Sequence, residues 1–164
     1  MNEYEVIFES ERIKYIKLTE KLIDDYLNMV NDPEVSSKIS HHPRTYTSEE
    51  EKSWIDVKLK SNAICYSMIE KGTNKYIGNI EIDQIKDGNG EVGISITREM
   101  QDKHFGTEAM KAIVEYGYNT LNLNTIYLNA LSTNLRAIKC YKNAGFIESG
   151  VGKEPDDIHM IHKR

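Results

Sequence analysis

The chain has 164 residues, 39% hydrophobic and 29% charged, with a formal charge of −5. That is enough for one domain, 1–164, with a real core, and the acidic balance argues against a nucleic-acid binder that works by phosphate neutralisation. No run approaches the ~18 apolar residues of a membrane span, and the acidic start M-N-E-Y-E-V-I-F-E-S-E-R has no signal-peptide core, so the expected compartment is cytoplasmic.

In chain order, residues 1–10 read as a short strand or an ordered tail. Residues 12–18 (R-I-K-Y-I-K-L) suit a strand. Thr19 can cap a helix whose stripe is Leu22, Ile23, Tyr26, Leu27 and Val30, stopped by Asn31-Asp32-Pro33. A second, irregular helical piece is expected over 34–38. The loop 40–44 carries His41 and His42. Adjacent histidines rarely reach one metal, and no carboxylate stands at a ligand spacing, so a plain exposed loop is the favoured expectation and a loop that lines a pocket the alternative. Cys65 and Cys140 are isolated and form no C-x-x-C pair, so neither zinc nor a redox motif is expected. Both read as buried small residues. Thr47 or Ser48 opens the next helix with Glu50 or Glu51 as a capping box. It carries Trp54, Ile55, Val57 and Leu59, with Trp54 read as core.

From Ala63 the period becomes two. Ile64, Tyr66 and Met68 alternate with Cys65, Ser67 and Ile69. Lys71-Gly72-Thr73-Asn74 makes a hairpin turn into a strand over 76–85, and Asp87-Gly88-Asn89-Gly90 makes a second turn. In 91–97 (E-V-G-I-S-I-T), Val92, Ile94 and Ile96 share a face. A polar loop then leads to a helix with Met110, Ile113, Val114, Gly117 and Leu121 on one side. The start of such a helix offers unpaired N–H groups and a positive dipole end, a ready anion site. Thr125–Leu131 is the next strand, and reaching it through a helix implies a parallel crossover. A helix begins at Ser132-Thr133-Asn134 with Leu135, Ile138 and Tyr141 on one face, and Gly145 takes its left-handed cap. Residues 146–151 and 158–162 close the chain as a hairpin.

The loop before the long helix reads Gln101-x-x-His104-x-Gly106-Thr107-Glu108-Ala109. It resembles the pyrophosphate loop of the GNAT N-acetyltransferases, Q/R-x-x-G-x-G/A, with His104 standing where that pattern has glycine. A second segment, Asn134-x-x-Ala137-x-x-x-Tyr141-x-x-x-Gly145-Phe146, matches the N-x-x-A-x-x-x-Y-x-x-x-G-F of the same family. The G-T-E-A opening of the helix is similar to the branch of ribosomal-protein N-terminal acetyltransferases. The resemblance spans residues 12–162, and only 91–146 is motif-specific. It implies an α+β fold of three layers: a mixed, mostly antiparallel sheet of about seven strands with helices on both faces.

The resemblance also implies chemistry. Acetyl-CoA is the expected acetyl donor and no metal is needed. Ile94, Ser95, Ile96, Thr97 and Arg98 would pair with the pantetheine arm. Lys103, His104, Phe105, Gly106 and Thr107 would hold the pyrophosphate, with Gln101 ordering the loop, Arg98 and Lys103 adding charge, and Asn134 touching the cofactor arm. The His104 side chain is expected to point away from phosphate. Tyr141 is the candidate general acid, because a phenol of pKa ~10 sits near a thiol's ~8.5. Glu91 is the first candidate to assist amine deprotonation, Glu81 the second and Asp83 the third. The expected reaction is direct attack by a primary amine, on a protein N-terminus, a polyamine, an aminoglycoside or another small amine, with no covalent enzyme intermediate. A non-catalytic acyl-CoA sensor on the same fold is the alternative. Neither nucleic acid nor membrane is an expected partner, and the closing hairpin leaves an edge through which two copies could pair as a homodimer.

Overall fold

The computed structural model describes residues 3–164. Eight strands form one sheet: β1 (Val6–Glu9), β2 (Ile13–Lys17), β3 (Ile64–Glu70), β4 (Tyr76–Lys86), β5 (Asn89–Ile96), β6 (Thr125–Leu131), β7 (Ile147–Val151) and β8 (Asp157–Lys163). Their order is β1-β2-β3-β4-β5-β6-β8-β7, in keeping with the mixed, mostly antiparallel sheet of about seven strands expected. Strand β1 comes from the stretch left open between strand and tail; residues 1 and 2 lie outside the described residues. Five helices accompany the sheet: α1 (Ile23–Val30), α2 (Pro33–Ile39), α3 (Ser48–Lys60), α4 (Phe105–Asn119) and α5 (Leu135–Asn143).

Local sequence explains most boundaries. Thr19 caps a short 3-10 turn that leads into α1. Asp32 caps α2, and Pro33 supplies its first residue. The capping box of α3 is complete: Glu50 N–H donates to Thr47 Oγ1 at 3.2 Å, and Thr47 N–H donates to Glu50 Oε1 at 3.0 Å. Asp87 and Gly88 both take positive φ, so Lys86 pairs with Asn89 across a two-residue turn and β5 starts two residues before Glu91.

The sheet separates two cores. On one face α4 and α5 cover Ile80, Ile82, Val92, Ile126 and Leu128. On the other, α1–α3 cover Ile16, Cys65, Ile69 and Tyr76. Leu135, expected to share a face with Ile138 and Tyr141, is exposed, and so are Val57 and Leu59 of α3. On α3, Glu51 and Ile55 are buried and Trp54 and Lys58 half-buried, while Leu135 lies in the first turn of α5, where Ile138 alone is buried. Cys65 is buried as expected, whereas Cys140 is only half-buried, against the opening turn of α4.

Candidate active site

The sheet opens in its middle. The parallel ladder between β5 and β6 holds only Asn89–Thr125, Gly90–Ile126 and Glu91–Tyr127. Both strands run on, β5 to Ile96 and β6 to Leu131, without pairing to each other. A cavity of about 1040 Å³ enters this split, with Val92–Ser95 on one lip and Leu128–Leu131 on the other. Its walls include His41, His42, Glu51, Trp54, Lys58, Glu81, Asn134 and Tyr141. The loop of His41 and His42 thus lines the cavity. His41 Nε2 lies 2.7 Å from Asp157 Oδ1, joining that loop to the end of the closing hairpin. Trp54 is half-buried, edge-on to Tyr26 at 6.3 Å, and belongs both to the core margin and to the cavity wall.

The carboxylates share one face of the sheet and divide by position along it. Glu81, paired across the ladder with Gly93, reaches the cavity. A Cβ on Gly93 would sit 3.7 Å from Glu81 Oε1, so the bare glycine leaves that carboxylate uncovered beside the split strand. Lys58 Nζ donates to Glu81 Oε2 at 3.3 Å. Glu91 lies at the last ladder pair before the split, accepts from Asn129 Nδ2 at 2.9 Å, and is not part of the cavity wall. Asp83 is exposed and outside it too.

Tyr141 is fixed by the end of its own helix. Phe146 N–H donates to Tyr141 O at 3.0 Å and Gly145 N–H to Lys142 O at 3.0 Å. Gly145 has φ +99. This is a Schellman closure, with its characteristic apolar contact between the rings of Tyr141 and Phe146 at 6.4 Å. The Tyr141 hydroxyl has no hydrogen-bond partner among the described residues, and burial pushes the phenol up, so it stays protonated through the neutral range. Cys140 beside it is no nucleophile candidate, because burial pushes its thiol up as well.

The loop before α4 is tied on both sides. Gln101 Nε2 donates to Ile96 O at 3.0 Å, and its Oε1 accepts from Arg136. Glu108 N–H is the first in α4 to find a carbonyl, His104 O at 3.3 Å, which leaves the amides of Phe105, Gly106 and Thr107 without intrahelical acceptors. A Cβ at Gly106 would fit only tightly, meeting Cys140 Sγ at 3.0 Å and Ile96 Cδ1 at 3.4 Å. Arg98, expected to add charge to phosphates, instead grips Asp32 at the start of α2, with its Nε at 3.1 Å. Lys103 is exposed, and its carbonyl accepts from Arg12. Asn134 makes two bonds within the protein: Oδ1 caps Ala137 N–H at 3.4 Å, and Nδ2 donates to Lys38 O at 3.1 Å. Ser95 and Ile94 line the cavity, while Ile96 and Thr97 lie beyond it.

The model of the acetyltransferase (GNAT) domain matches residues 12–147. The chain belongs to the GNAT acetyltransferase family. This GNAT N-acetyltransferase is 29% identical over 147 residues to an uncharacterized N-acetyltransferase p20 of Bacillus licheniformis, covering 87% of this chain and 83% of that one. It is 30% identical over 94 residues to a spermidine N(1)-acetyltransferase of Vibrio cholerae, covering 56% of this chain and 54% of that one. A crystal structure of spermidine N-acetyltransferase from Vibrio cholerae in complex with CoA and spermine shares the fold, with a TM-score of 0.81, 21% identity and 94% of this chain covered.

The geometry explains the departure at position 104. His104 caps α4 with φ +66, a left-handed conformation in which glycine carries no penalty and histidine is among the better-tolerated alternatives. Its side chain is exposed. Two features escaped the sequence. A buried chain of hydroxyls and amide, Tyr26–Ser67–Asn79, underlies the cavity at 2.6 and 2.8 Å, and no local motif marks it. Glu51 reads as one of three consecutive glutamates, and only helical spacing with Ile55 and Lys58 distinguishes it.

Proposed function

We propose that this chain transfers the acetyl group of acetyl-CoA to a primary amine on a small cationic acceptor. The observation that carries this is the unpaired split between β5 and β6, bordered by Tyr141 on one side and Glu81 on the other. The residues present fit the donor. The free amides at Phe105, Gly106 and Thr107 suit a pyrophosphate, and the unpaired edge of β5 at Val92–Ser95 suits an extended amide-bearing arm. When bound, acetyl-CoA supplies an activated acetyl group as a thioester.

The protein's own groups do the rest. Glu81 takes a proton from the acceptor's ammonium, directly or through water. A backbone N–H on the free edge of β5 stabilises the developing oxyanion. Tyr141 gives its phenolic proton to the departing sulfur. Carboxylates on the wall (Glu49, Glu50, Glu51, Glu81, Asp157) outnumber Lys38, Arg44 and Lys58, which favours a positively charged acceptor. The relationship to a spermidine acetyltransferase points the same way.

The test is a thiol-release assay with acetyl-CoA over spermidine, kanamycin, butylamine and a short peptide with a free N-terminus, beside calorimetric titration with CoA. Micromolar CoA binding, about −8 kcal/mol, with turnover of the cationic amines is the expected result. Binding without turnover of any acceptor would replace the enzyme reading with that of an acyl-CoA sensor.

A further inference from the structure

Glu51 stands apart from every other carboxylate of the cavity wall. It is 5% exposed, yet its carboxylate makes no hydrogen bond or ion pair among the described residues. Its companions are committed or solvated. Glu50 is spent on the capping box and on Arg44, Glu81 on Lys58, and Asp157 on His41, while Glu49 is exposed.

The groups facing Glu51 offer it nothing. Tyr26, whose phenol feels its charge, is bonded through its hydroxyl to Ser67 at 2.6 Å and to the Thr19 amide at 3.2 Å. Tyr76, also within range of its charge, directs its hydroxyl to Met29 Sδ at 3.7 Å. Lys58, two turns along the same stripe, is held by Glu81. Burial accordingly pushes the Glu51 carboxyl above the usual carboxylate range. No fully buried side-chain oxygen or nitrogen lacks a partner among the described residues, so the little exposure that Glu51 keeps lies at its carboxylate, and a charge so largely desolvated is costly unless an opposite charge meets it. Here the cavity is the side from which a cation can come, because Glu51 lines it.

We propose that Glu51 is the anchor for a second cationic nitrogen of the acceptor, distinct from the amine that is acetylated, and so sets a preference for diamines and polyamines over monoamines. This rests on the acetyl-transfer reading of the same cavity. The two glutamates then divide the work. Glu81, beside Gly93, handles the reacting nitrogen at the split strands, and Glu51, on the first turns of α3, holds the remote one.

The experiment compares wild type with Glu51→Gln, a substitution of equal size that removes the charge, using 1,4-diaminobutane, spermidine and butylamine. Loss of an unpartnered buried charge leaves folding intact, and CoA titration verifies this. In Glu51→Gln, kcat/KM for the two polyamines should fall about 10- to 100-fold, through KM with kcat nearly unchanged. Butylamine should change by less than about twofold, so the diamine-to-monoamine ratio collapses. Glu51→Asp should recover part of the preference. An unchanged ratio in Glu51→Gln overturns the proposal while leaving acetyl transfer standing. Calorimetry of spermidine binding to the CoA complex reads Glu51 without turnover. Binding lost only in Glu51→Gln supports the anchor even if no acceptor is acetylated, and absence of binding to wild type overturns it.

Discussion

At the scale of single residues, the chemistry depends on which side chains reach the split between β5 and β6. Glu81 does and Glu91 does not, although Glu91 stands nearer in sequence to the loop before α4. Pleat alone would not separate them, since Glu81 pairs with Gly93 and both glutamates lie on the α1–α3 face of the sheet. What separates them is where the parallel ladder stops, and that is set by the divergence of two strands with 28 residues between them. A linear pattern does not carry that information. The place of Tyr141 on the cavity wall was legible because its motif encodes a helix stop as well as a phenol. Glu51 was not, because a run of glutamates looks like an ordinary first helical turn. The expected kinetics follow. Glu81→Gln should lower kcat/KM about 10²-fold and Tyr141→Phe should lower kcat about 10²-fold with CoA affinity unchanged, while Glu91→Gln stays within about threefold of wild type. Steady-state assays where chemistry limits turnover check this. Equal losses for the two glutamates would take Glu81 out of the base role.

At the scale of elements, two helix ends make the site. The start of α4 presents free amides only because the loop before it is tied down by Gln101 to β5 and to Arg136 on α5. The end of α5 aims Tyr141 because Gly145 turns the chain at φ +99 and Phe146 folds back over the tyrosine ring. Strand, loop and helix alternation was readable from periods of two and 3.6, and turn residues fixed both hairpins. Exposure of Val57, Leu59 and Leu135 was not, since a helix at the rim of a cavity buries a narrower stripe than a helix laid across a sheet. Gly145→Ala tests the coupling between the cap and the proposed acid Tyr141. The left-handed backbone should cost about 1–2 kcal/mol, with further crowding where the new methyl meets His162 Nε2 at 3.1 Å. Urea denaturation should show that loss, and kcat of the folded variant should fall with it. A destabilised variant with full kcat would mean that the cap stabilises α5 without aiming Tyr141.

At the scale of the molecule, two carboxylates act on stability in opposite directions as pH changes. Glu108, in the first turn of α4, joins that helix to the β1–β2 hairpin. Its Oε2 accepts from Ser10 Oγ at 2.6 Å and Arg12 N at 2.7 Å, and its Oε1 accepts from Arg12 Nε at 2.8 Å. Burial opposes its charge, but these hydrogen bonds prevail and hold the carboxyl below its ordinary value of 4.5. A lowered folded pKa contributes stability that is present above the unfolded pKa and is lost as pH falls through the folded one. Glu108→Gln should therefore cost about 2 kcal/mol near pH 7, with the gap narrowing as pH falls below about 4.5. Glu51 has the opposite sign. Its raised folded pKa gives stability that is present below the unfolded value and lost as pH rises through the folded one. Glu51→Gln should thus gain stability at neutral pH and match wild type in acid. Urea midpoints for the three proteins at pH 7 and pH 3.5 would separate these contributions. A Glu108→Gln deficit that stays constant across that range would assign the residue's role to neutral hydrogen bonding with Ser10 and Arg12 rather than to its charge. The same measurements would reveal what the anchor costs. If removing the Glu51 charge stabilises the free enzyme while weakening its hold on polyamines, the molecule carries a buried charge whose partner arrives only with the acceptor.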